Sequence, residues 1–130
     1  MGLLAEAYGK AGQPAAGLRV VAEVLASNNR SVQGTGTTEL YRLQGELLLR
    51  QATPDAAQAE ASFHQALAMA RHQQAKSLEL RAAMSLSRLW QRQGKHAVAR
   101  ELLAPIYDWF TEGFDTADLR EAKVLLEALP

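Results

Sequence analysis

Arginine, and the intervals at which it recurs, supplies most of the chemistry this chain could do. Arg42, Glu46 and Arg50 stand four apart, as do Arg88 and Arg92, and on a helix that interval puts side chains on one face. Such a row admits two readings. One is a solvated face with local ion pairs worth about 0.2–0.5 kcal/mol each. The other is a lining for an acidic peptide or a carboxylate terminus, because the planar guanidinium pairs carboxylates bidentately. Other chemistries are poorly supplied. His64 and His72 lie eight apart, about 12 Å along one helix and too far to share a metal. With His96 they are expected to be solvated or groove-lining side chains, and no metal site is expected. The absence of cysteine excludes disulfides and thiolate chemistry. "QGTGTTEL" has neither a preceding strand nor a lysine after its glycines, so it does not meet the requirements of a phosphate loop. Gly34 to Thr38 reads instead as a flexible loop, with Thr37 or Thr38 capping a helix. No catalytic residue and no cofactor is expected, and the chain does not read as an enzyme.

Charge narrows the partners. Fourteen basic residues balance fourteen acidic ones, so no global field holds the chain on a nucleic acid or an anionic membrane. The distribution is nevertheless uneven. Between Arg71 and Arg100, seven cations (Arg71, Lys76, Arg81, Arg88, Arg92, Lys95, Arg100) face a single acid, Glu79. From Glu101 onward the balance turns acidic, with Asp118, Glu121 and Glu127 in the final segment. Nucleic-acid binding through residues 71–100 is therefore the alternative to protein binding. A third possibility is that this basic stretch meets the acidic C-terminal element of a neighbouring molecule. No apolar run of about 18 residues and no leader pattern is present, which gives no membrane partner and a cytoplasmic expectation.

The elements that must position these residues are helices. Ala and Leu dominate, β-branched residues are few, and 130 residues suit one domain. Apolar residues recur at three and four without a sustained alternation. The pattern predicts helices over 3–11, 14–27, 37–52, 55–73, 75–93, 96–112 and 116–129. They pair into a repeat of about 40–42 residues. The first members carry a small residue and a larger one three later: Ala5 and Tyr8, Gly45 and Leu48, Ser87 and Trp90. The second members carry Gly17, Val21, Val24, then Ala59, Phe63, Ala66, then Ala99, Leu103, Ile106. Small residues let antiparallel helices approach, so Gly45, Ala59, Ala66 and Ala99 read as sockets and Tyr8, Phe63 and Trp90 as what fills them.

With Gly12 and Gly94 at the turns, this pattern resembles the tetratricopeptide repeat over essentially the whole chain, although the unit exceeds the usual length of about 34 residues. "GFDTADLREAKVLLEAL" looks like the end of bacterial predicted-ATPase and cyclase-linked regulators. The resemblance implies an all-α superhelix of about three helix-turn-helix units plus a capping helix, one domain over 1–130. Its implied function is non-enzymatic protein docking or sensing in signal transduction. By analogy the first helix of each pair lines a groove, which assigns Arg42, Glu46, Arg50, Arg81, Arg88 and Arg92 to partner binding. Glu6, Lys10, Glu39 and Met84 share that face. In the tail, Leu119, Ala122, Leu126 and Leu129 form the expected docking stripe. Gly113 is expected to stop the preceding helix, Asp115 or Thr116 to cap the last, and Asp118 to sit in its first turn. A solenoid needs such a cover at each end. The N-terminal end has none, so the chain reads as the C-terminal part of a longer protein, with a partner covering that end as the alternative; self-association through it is also expected.

Overall fold

The computed structural model describes residues 14–28, 35–51, 53–113 and 116–129. The expected helix over 3–11, with Ala5, Glu6, Tyr8, Lys10 and Gly12, lies outside them. Among the described residues the fold is all-helical, with six helices and no strand. They are α1 (Pro14–Asn28), α2 (Thr35–Arg50), α3 (Ala56–His72), α4 (Lys76–Arg92), α5 (His96–Trp109) and α6 (Ala117–Ala128).

Local chemistry accounts for the helix ends. The Asp55 carboxylate accepts from the Gln58 amide at 3.0 Å and caps α3. The α3 and α4 C-termini close identically. Ala75 N–H donates to the Ala70 carbonyl and Gln74 N–H to that of Arg71, while Lys95 donates to Trp90 and Gly94 to Gln91. This closure needs a left-handed residue at its centre. Gly94 adopts it without cost at φ 79°, whereas Gln74 adopts it at φ 56° with a β-carbon to accommodate.

Two expected ends move. α2 begins at Thr35, so Thr38 lies inside the helix rather than capping it; its hydroxyl is buried and donates to the Gln73 side-chain oxygen at 3.1 Å. That tertiary bond gives Thr38 a partner a loop would lack. α5 stops at Trp109 rather than near 112, one turn beyond Pro105, whose ring removes a helical donor. Gly113 is left-handed, at φ 80°, but lies past that end. Thr116 occupies the cap position of α6 without a side-chain cap bond, and Asp115 lies outside the described residues.

Connections of a few residues make each helix pack back on the one before it. α4 is the hub, packed against α2, α3, α5 and α6. Its burial runs from Glu79 and Leu80 through Ala82–Leu86 to Leu89 and Trp90. The main core joins α3 to α6 through Phe63, Leu86, Leu103 and Leu119, with Tyr41, Leu48 and Leu49 of α2 against it. A second core holds α1 to α2 through Val21, Leu40 and Leu47. α2 therefore sends one stripe to each core.

The expected sockets are buried. Phe63 lies across Gly45 so closely that a β-carbon there would come within 2.7 Å of Phe63 Cδ1. Ala59, Ala66, Ser87 and Ala99 are buried, and the Ser87 hydroxyl donates to the Ala99 carbonyl at 3.3 Å, tying α4 to α5. Trp90 is buried with its indole N–H on Glu60 at 3.0 Å. α6 docks through Leu119, Ala122, Leu125 and Leu129; Leu126 is only half-buried and yields its expected place to Leu125.

Candidate functional site

The arginine face is built from α2, α4 and α6, which lie side by side in that order. Glu39 is its pivot. It accepts from Arg42 Nε at 3.1 Å and from Arg42 Nη2 at 3.2 Å within α2. Across the interface it also accepts from Arg81 Nη1 at 2.7 Å. Arg42 reaches Ser85 of α4 at 3.5 Å and stands 4.0 Å from Glu46. Arg81 in turn presents Nε to Asp118 of α6 at 3.3 Å, so one guanidinium links three helices. Arg88 meets Glu121 of α6 at 3.4 Å. Two of the six expected binding residues are thus held by acids of the terminal helix. Two cations of the 71–100 stretch thus pair with acids of the tail within one molecule.

Arg50 and Arg92 are exposed and make no ion pair among the described residues. Met84, three from Arg81 and four from Arg88, shares their side of α4 but is buried in the core, because neighbouring helices cover α4 there.

Beyond Arg88 the α4–α6 contact opens into a cleft of about 480 Å³. Arg88, Gln91 and Arg92 line it from α4, and Arg120, Glu121, Val124, Leu125 and Ala128 from α6. Three guanidinium groups against one carboxylate leave it net positive, with an aliphatic wall alongside. Val124 is 67% exposed. Neither Arg120 nor Val124 is among the residues singled out from the sequence. The four-residue spacing of Arg120, Val124 and Ala128 was legible, but not which helix they would face.

A second concavity, about 800 Å³, lies where the α3–α4 turn meets the end of α5, lined by Arg71, Gln74, Lys76, Ser77, Glu79, Trp109 and Phe110. Glu79 is buried and held by Arg71 and Lys76, each at 3.1 Å. Lys76 Nζ also sits 5.4 Å from the Trp109 ring centre, and Phe110 packs edge-on against that ring.

The histidines are dispersed. His64 packs on Trp90 and lies 3.8 Å from Glu60, exposed His72 ends α3, and His96 opens α5. Among the described residues no three potential ligands gather as a metal would require. The basic stretch 71–100 is largely engaged. Arg71, Lys76, Arg81 and Arg88 pair with acids, and Arg100 donates to the Leu126 and Leu129 carbonyls at 3.1 and 2.8 Å. Arg92 and Lys95 are left without acidic partners among the described residues. No described helix is long and apolar enough to cross a membrane. No family model matches this chain, and no curated protein or solved structure matches it.

Proposed function

We propose that this chain is a non-enzymatic protein-binding scaffold, a superhelical stack of tetratricopeptide-like helix pairs capped by α6, whose arginine face takes a segment of a partner protein. One observation carries the reading: α2, α4 and α6 touch in succession, whereas α3 and α5 are not neighbours. A stack that curves about its first helices has that contact pattern, and its inner face is where a binding groove forms. The Gly45–Phe63 and Ser87–Ala99 contacts support it at the level of residues. In the setting the sequence resemblance suggests, the domain works in the bacterial cytoplasm. There it docks or senses a partner for an attached signal-transduction ATPase, cyclase or DNA-binding module.

The test is affinity capture from lysate on the immobilised chain beside its Arg88→Glu/Arg92→Glu form, with and without nuclease, circular dichroism confirming that both are folded. The expected outcome is a protein retained by the native form, lost from the variant and indifferent to nuclease. Retention abolished by nuclease would favour nucleic-acid binding through residues 71–100. An empty eluate would sink the scaffold reading.

A further inference from the structure

The arginine row of α4 is met by the chain's own acids only in part. Arg81 and Arg88 reach carboxylates of α6, but Arg92, one turn beyond, has no acidic partner among the described residues, and neither does Arg120 across the cleft. Between them lies Val124, the most exposed large aliphatic side chain among the described residues. We infer that this cleft seats an acidic amphipathic helix of a partner protein. One aliphatic side chain of that helix rests on Val124 and Leu125, and its carboxylates, a turn to either side, reach Arg92 and Arg120. The inference rests on the protein-binding reading and narrows it to one end of the arginine face.

Three observations select this occupant. The cleft carries more guanidinium than carboxylate, so the occupant is anionic. Its walls are two helical ridges, Arg88 and Arg92 on α4 and Arg120, Val124 and Ala128 on α6. Spaced by four, the α6 ridge runs about 12 Å, and ridges of that kind pack a third helix between them. The chain also shows what this surface accepts. On the same face of α4, α6 brings Asp118 and Glu121, three apart, to Arg81 and Arg88, while Leu119, Ala122 and Leu125 pack beneath. A second helix of that composition would continue the pattern to Arg92. Single-stranded nucleic acid fits less well, because no aromatic side chain lines the cleft for a base to stack on.

The test uses the full chain and fluorescence anisotropy. The probe is a labelled, stapled helix of about 15 residues, with leucines along one stripe and glutamates flanking it. Its twin has lysine in place of every glutamate. The acidic helix should bind saturably and the twin about tenfold more weakly or worse. Arg92→Glu/Arg120→Glu and Val124→Asp should each weaken the acidic helix by about tenfold or more. Arg19→Glu, which reverses an exposed cation on α1 outside the cleft, should leave binding unchanged. Equal binding of the twin, or full binding by Arg92→Glu/Arg120→Glu, would overturn the assignment. So would concentration-dependent dimerisation abolished by that same variant, which would give the cleft to a second copy of the chain. If lysate proteins are retained but ignore Arg92→Glu/Arg120→Glu, the cleft assignment falls while the scaffold reading stands. An empty lysate eluate is the separate failure of the scaffold reading.

Discussion

Gly45 and Phe63 depend on each other, because the ring of one fills the space left by the other. Because the buried ring already occupies the space a β-carbon would need, Gly45→Ala should destabilise by about 1–3 kcal/mol. Urea unfolding would measure it, and Phe63→Leu in the same chain should return part of the loss. Ala66, fully buried on the same helix as Phe63, allows a harsher test. Ala66→Glu strands a charge at a close helix contact and should cost about 4 kcal/mol or more, enough to abolish a cooperative unfolding transition. Both residues were legible in the sequence, since a small residue spaced three or four from a large one is a statement about volume. Met84 was not. Its burial follows from α4 having four helical neighbours, and that number is a property of the assembled fold.

Helix ends separate local chemistry from tertiary chemistry. Gln74 and Gly94 close α3 and α4 by the same pair of bonds, yet only Gly94 is free of β-carbon strain. Gln74→Gly should therefore stabilise by about 0.5–1 kcal/mol, and Gly94→Ala should cost about 1 kcal/mol; thermal melts of the two variants should move in opposite directions. At the last helix, the side chain of Arg100 supplies donors to the Leu126 and Leu129 carbonyls. Arg100→Met keeps the aliphatic stem and removes those donors. It should cost about 1 kcal/mol and raise amide exchange in the final turn of α6 ahead of the rest. Where a boundary depended on local residues, as at Asp55 and Gly94, the sequence located it within a residue or so. Where it depended on a distant partner, as at Thr38 with Gln73, it did not.

At the scale of the molecule, two cores among the described residues meet in one helix, α2. Among the described residues, α1 is held only through the smaller cluster around Val21, Leu40 and Leu47, whereas α4 is enclosed on four sides. Native-state hydrogen exchange should find the slowest amides in α4 and an opening of α1 at lower free energy than global unfolding; equal protection across both would count against two separable cores. The candidate site was half legible for a related reason. The arginines could be listed from spacing alone, but their partners Glu39, Asp118 and Glu121 depend on which helices become neighbours, and no interval along the chain encodes that.

The terminal helix is also pinned at both ends by different neighbours. Arg81 of α4 grips its first turn at Asp118, and Arg100 of α5 grips its last carbonyls. Mechanically α6 is a strut clamped at two points, resisting sliding along its axis more than peeling from one end. A pull at the C-terminus would load Arg100 first and pass into α5. Arg81 and the three-helix junction behind it would carry load only after that clamp had yielded.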